Sequence, residues 1–162
     1  MRELIDSLEK RDSADYLLDT CFLMHSFESG TKGPLIEFCK THKTAMLSFN
    51  LEELNLKHHK LGGTANHHIR EFLKLKIIKS VPIDVMPGER EKEIRYVRDF
   101  DEQILKIVRD PSDAIILVAG LKMRADILTK DKHHLFTTNA ENFLNKYGIR
   151  VLNELSHAGR TP

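Results

Sequence analysis

The chain has 162 residues, with 25 lysines and arginines against 24 aspartates and glutamates, for a net charge of +1. That length suits one domain with a hydrophobic core that needs no staple. Hydrophobic residues at 41% and charged residues at 30% exclude a disordered, collagenous or coiled-coil chain.

In chain order, Leu4, Ile5 and Leu8 predict a short amphipathic helix over residues 2–10, and Tyr16-Leu-Leu18 predicts a buried strand ending at Asp19. Helical patterns come next at 20–27 and 34–40, separated by Gly30 and Gly33, and residues 44–49 form a second strand. Asn50 is expected to cap a helix reaching about His59, and residues 60–64 form a break. Residues 65–75 are helical and 77–81 form a third strand, with Pro82 and Pro87-Gly88 as breaks before the next helix. Residues 89–109 predict one long charged helix with Ile94, Val97, Ile104, Leu105 and Val108 along its buried stripe. Asp110-Pro111-Ser112-Asp113 is a helix start, an Asx cap followed by proline, and the helix to Met123 is apolar nearly all round. Residues 126–129 predict a fourth strand, 135–137 a turn or short strand, 140–147 a helix ended by Gly148, and 149–152 a last strand.

Strands alternating with helices predict an α/β domain with a mostly parallel, helix-covered sheet. The charged N-terminus carries no apolar run of the signal-peptide kind. The longest apolar stretch, residues 114–119, is far short of the roughly 20 residues of a membrane span. The expectation is a cytoplasmic protein without a membrane partner. Cys21 and Cys39 have apolar neighbours and no CxxC spacing, and read as reduced, free thiols.

In parallel sheets, ligands sit beyond the carboxyl ends of the strands. Four acids fall there: Asp19 directly after the first strand, Glu53 early in the helix after the second, Asp113 at the start of the apolar helix, and Asp131 just past the fourth strand. Each has a structural alternative. Asp19 could cap a helix, Asn50 and Glu53 have capping-box spacing, Asp113 complements a helix dipole, and Asp131 suits a turn. One explanation covers all four: carboxylates that repel one another are tolerated where a hard cation such as magnesium neutralises them, and such a site suits attack of water on a phosphodiester.

The segments Tyr16-Leu-Leu-Asp19-Thr20, Leu51-Glu-Glu53-Leu54, Ser112-Asp113-Ala-Ile-Ile-Leu-Val-Ala119 and Ile127-Leu-Thr129-Lys-Asp131 resemble the successive acidic motifs of PIN domains, over roughly residues 15–152. The resemblance implies a three-layer α/β/α sandwich and a Mg²⁺- or Mn²⁺-dependent endoribonuclease. Asp19, Glu53, Asp113 and Asp131 would be its catalytic and metal-holding residues, and Thr20 and Thr129 supporting hydroxyls. It further implies a homodimer and, for toxin-type members, an antitoxin-like protein partner. The chain would divide into a helical extension (1–14), a PIN-like domain (15–155) and a frayed tail (156–162). It departs from the family pattern at Cys21, where a serine is common, at Lys132-His133-His134 after the last acid, and in its longer N-terminus.

Residues 54–80 hold six lysines and arginines against one acid, whereas 84–102 hold seven acids against four. Lys57, Lys60, Arg70, Lys130 and Lys132 are the candidates for contacts with an RNA backbone, with ordinary solvated charge as the alternative. The doublets His58-His59, His67-His68 and His133-His134 point their adjacent side chains about 100° apart on a helix, which argues against two ligands to one metal. No GxGxxG follows the first strand, no P-loop is present, and Cys21 stands where a haloacid-dehalogenase phosphatase needs a second acid. The competing function is a catalytically silent PIN-like module that binds RNA or assembles with proteins.

Overall fold

A computed structural model describes residues 1–131, 135 and 137–158. Among the described residues, five strands form one sheet: β1 (Tyr16–Leu18), β2 (Thr44–Leu47), β3 (Lys79–Val81), β4 (Asp126–Leu128) and β5 (Val151–Leu152), in the order β3-β2-β1-β4-β5 with every pair parallel. Helices α1 (Arg2–Asp6), α2 (Thr20–Glu28), α3 (Lys32–Thr41), α4 (Ser48–Lys57) and α5 (Gly63–Lys74) precede β3. Helices α6 (Arg90–Arg98), α7 (Ile104–Ile107), α8 (Pro111–Met123) and α9 (Thr138–Asn145) come after it.

The pleat sends alternate side chains to opposite faces and so builds two cores. Leu17, Ala45 and Ile127 pack with Val97, Ile104, Val108, the apolar residues of α8, and Ala140 and Leu144 of α9. Tyr16, Leu18, Met46 and Leu128 pack with Ile5, Phe22, Leu35, Leu54, Ile69 and Phe72, from α1 to α5. The outcome is the expected three-layer α/β/α sandwich around a parallel sheet. Strands this short are stable because both faces are covered. Among the described residues no helix is long and apolar enough to cross a membrane.

Three local readings are corrected. The expected 89–109 helix is two, because the Asp101 side chain accepts the Gln103 N–H at 2.8 Å and offers the backbone an alternative to helical bonding. Asn50 caps nothing: α4 starts at Ser48 with Leu47 as its N-cap, which leaves the Asn50 side chain buried inside. The N-terminal helix stops at Asp6, and the chain then runs beside β3, with Ser80 donating to Glu9 and Arg11 donating back to Ser80, both at 2.9 Å. Lys132, His133, His134 and Phe136 lie outside the described residues, so the 135–137 turn or strand falls only partly within them; Leu135 is a buried turn residue.

Helix α8 begins as its sequence dictates. Asp110 accepts the Ser112 N–H at 3.1 Å, and Pro111 occupies the first helical position. It also packs tightly on β4, since a Cβ on Gly120 would meet Ile127 Cδ1 at 3.0 Å. Asp110 further pairs with Arg90 at 2.8 Å, tying α6 to the start of α8. Asp110→Ala removes both contacts and is expected to cost about 1 kcal/mol in urea unfolding, within the range of lost N-caps. A change of no more than a few tenths would contradict the cap's role.

Candidate active site

The strand order reverses at β1: β2 and β3 lie on one side of it, β4 and β5 on the other. Crevices at such a switch point, outside the carboxyl ends of the strands, are where α/β sheets bind ligands. The chain leaves β1 at Asp19, whose N–H is held by the Leu128 carbonyl of β4 at 2.9 Å. An open cleft of about 430 Å³ lies there, lined by Asp19, Thr20, Cys21, Met24, His25, Glu28, Glu53, Lys57, Asp113 and Asp131. All four acids singled out in the sequence therefore meet in one cavity, although they come from four separate segments of the chain.

Asp19 is the hub. Its Oδ1 accepts from the Thr20 N–H at 2.7 Å and from Asn50 Nδ2 at 3.1 Å. Its Oδ2 accepts from the Thr129 hydroxyl and from the Cys21 thiol, each at 2.7 Å. Asp19 does cap α2, as its position suggested, and the cap uses one oxygen only. Thr129 in turn accepts the Asp131 N–H at 3.0 Å, and Cys21 Sγ accepts the Lys130 N–H at 3.2 Å, so the segment after β4 is pinned to the start of α2. Glu53 projects from the second turn of α4, where Lys57 Nζ lies at 2.8 Å and the Thr20 hydroxyl at 2.9 Å. Asp113 enters from the first turn of α8.

Electrostatics set the character of the cleft. Burial pushes the Asp19 carboxyl up, the hydrogen bonds from Cys21 and Thr129 pull it back, and the charge of Glu53 raises it again. Desolvation pulls the Lys57 ammonium down, and its bond to Glu53 with the charges of Glu53, Asp19 and Asp113 together outweigh that and hold it up. The donors around the cleft are carboxylate and hydroxyl oxygens, with His25 and a neutral Cys21 at the margin. That chemistry fits a hard divalent cation, whose charge would offset what burial and Glu53 do to Asp19. Among the described residues no group of three or more His, Cys, Asp or Glu side chains is arranged to hold a metal ion. Magnesium needs none, because it keeps several waters and takes one or two carboxylates directly.

The basic candidates divide. Lys57 lines the cleft, and Lys130 lies beside it with Nζ 5.6 Å from the Phe22 ring centre. Lys60 and Arg70 are exposed on the 58–60 turn and on α5, outside the cleft lining. Lys132 is outside the described residues. Sequence reasoning missed Asn50, which is 3% exposed and whose Oδ1 is buried without a hydrogen-bond partner among the described residues. It also missed His25 and Glu28, which share with Cys21 one face of α2 at helical spacing, a signal readable from residue numbers alone.

No family model and no curated protein sequence matches the chain. A solved structure does. The chain is similar in fold to a chain of VapBC2 from Rickettsia felis, in a crystal structure of that complex bound to a DNA fragment from their promoter. The TM-score is 0.53 and the identity 15%, over 76% of this chain and 93% of that one. The likeness, at that identity, is one of fold alone.

Burial pushes the Cys21 thiol up from 9.0 to about 12, with the Asp19 charge adding to it, and pushes Cys39 up from 9.0 to about 11. The folded protein keeps these protons at a pH where the unfolded chain releases them. The stability they contribute is therefore complete below pH 9.0 and is lost as pH rises toward 11 to 12. Urea midpoints are expected to fall between pH 9 and 11, and Cys21→Ser to make that fall shallower. An equal fall in wild type and variant would contradict the protonated thiol.

Proposed function

We propose that the chain is a PIN-family, magnesium- or manganese-dependent endoribonuclease, acting on single-stranded RNA in the cytoplasm. The observation that carries this reading is the convergence of Asp19, Glu53, Asp113 and Asp131 on one cleft at the switch point of a parallel sheet. Asp19, Asp113 and Asp131, with Glu53 beside them, would hold the cation. When bound, it supplies Lewis-acid polarisation of the phosphodiester and eases deprotonation of the attacking water.

The chain's own groups do the rest. Glu53, whose two oxygens are held by Thr20 and Lys57, would take a proton from that water. Thr129 and Thr20 hold the acids in position through their hydroxyls. Lys57, at the wall of the cleft, would steer the scissile phosphate, and Lys60, Arg70, Lys130 and Lys132 would meet the strand further out, where phosphate contacts set register rather than sequence. The fold neighbour is a chain of VapBC2 bound to a promoter DNA fragment, and the reading extends to an antitoxin-like protein as partner of this chain. Assembly as a homodimer belongs to the same reading, as does the division into a 1–14 extension, a 15–155 domain and a 156–162 tail.

One observation favours the competing function, a PIN-like binding module without catalysis. The two oxygens of Asp19 already accept from four protein donors, so a cation must displace one of them. Cleavage of labelled single-stranded RNA separates the two readings. The nuclease cuts with magnesium or manganese and stops in EDTA. Glu53→Gln then lowers the rate about 10²- to 10⁴-fold, the span of a lost general base. Cutting that persists in EDTA contradicts the metal-dependent mechanism, and RNA binding without any cutting supports the silent module.

A further inference from the structure

A second groove, of about 250 Å³, opens next to the four-acid cleft and shares His25 with it. Phe22 of α2, Lys130 and Glu154 are among its lining residues. Phe22 follows β1, Lys130 follows β4 and Glu154 follows β5, so the groove runs along the same carboxyl edge of three adjacent strands, away from Asp19 toward β5. A strand whose phosphodiester sits in the cleft would set its neighbouring nucleotide here. The volume falls below the roughly 300–1,000 Å³ of pockets that enclose a whole small molecule, which suits a single planar base.

Beside His25, Ser26, Thr31, Asn153 and Ser156, the groove is lined by one lysine and one carboxylate, Lys130 and Glu154, of opposite charge. Lys130 brings a cationic donor, held near the Phe22 ring at 5.6 Å. Glu154 is exposed and brings a carboxylate whose Oε2 accepts the Ser156 hydroxyl at 3.3 Å, leaving acceptor capacity for a ligand. Among the four bases, guanine alone presents two neighbouring donors, N1–H and N2–H₂, beside an acceptor, O6. Adenine and cytosine put a ring acceptor beside their amino group, and uracil has one N–H between two carbonyls. A lysine suits guanine O6 and N7, and a carboxylate suits paired N–H donors.

We propose that this groove is a guanine subsite, with Lys130 donating to O6 and N7 and Glu154 accepting from N1–H and N2–H₂, and that it selects the nucleotide beside the cut phosphate. The proposal rests on the nuclease reading for its consequence and on the groove's own chemistry for its base. Recognition through the Watson–Crick edge requires an unpaired base, as in most sequence-specific reading of RNA.

Two measurements on the full chain test it. In the first, a pool of single-stranded RNA is digested with magnesium and the cut positions are sequenced. Cuts are expected beside guanine, and Glu154→Gln, on the exposed surface, narrows the ratio of cutting beside guanine to cutting beside other bases by roughly tenfold, the scale of one lost bidentate contact. An unchanged ratio, or cutting without base preference, overturns the subsite and leaves the nuclease standing. In the second, guanosine, adenosine, cytidine and uridine 5′-monophosphates are titrated separately and followed by amide chemical shifts. This arm decides where no RNA is cut. Guanosine monophosphate shifting residues 130 and 154 more strongly than the other three, with the effect weakened in Glu154→Gln, keeps the subsite while the nuclease reading falls. Equal responses to all four overturn it.

Discussion

The hydrogen bonds of one buried carboxylate hold this molecule's working edge together. Asp19 collects donors from its own helix, from α4 through Asn50 and from the end of β4 through Thr129. The four donors arrive from three segments of the chain: α2, α4 and the end of β4. The strands here are only two to four residues long and cannot by themselves fix where their following loops go. The carboxylate does that, and in doing so it sets Glu53 and Asp131 around a common opening. A buried charge is costly unless it is fully hydrogen-bonded, and four donors on two oxygens meet that requirement.

The same arrangement carries a tension. Burial and the charge of Glu53 both disfavour the ionised form of Asp19, while Cys21 and Thr129 favour it. Lys57 answers part of the negative charge from outside, through Glu53. Asn50 Oδ1 stays buried without a hydrogen-bond partner among the described residues. A protein needing only a stable loop junction would do better with neutral groups, since polar atoms without partners in a low-dielectric interior cost stability. Acidic repulsion concentrated at a sheet switch point is easier to understand as the consequence of a function that uses the charge.

Much of this was legible in the sequence, for identifiable reasons. Tyr16–Leu18 and residues 126–128 read as strands because both faces of a parallel sheet are buried and leave short, mostly apolar runs, Asp126 apart. Asp19 and Asp131 could then be placed at one edge by counting. Asp110-Pro111 announced α8 through local chemistry alone. The failures share another cause. Asn50 and Glu53 match a capping box locally, yet the helix starts three residues earlier, and Phe49 and Leu51 go to opposite cores. The break near Asp101 was hidden because Val97, Ile104 and Val108 keep their spacing across it. Lys60 and Arg70 share a charge-rich stretch with Lys57, but composition carries sign without direction, and the fold turns Lys57 alone of the three to the cleft.

Asp19, Glu53, Asp113 and Asp131 stand or fall together as one site for a hard divalent cation. Melting temperature as a function of magnesium concentration tests that most directly. A ligand bound by the native state alone at roughly ten times its Kd adds about 1.4 kcal/mol, which in a domain of this size corresponds to a rise of about 3–6 °C. Wild type is expected to show that rise and Asp131→Asn to lose it, with the two proteins melting alike in EDTA. No magnesium effect on wild type, or an equal rise in Asp131→Asn, would contradict a shared cation site.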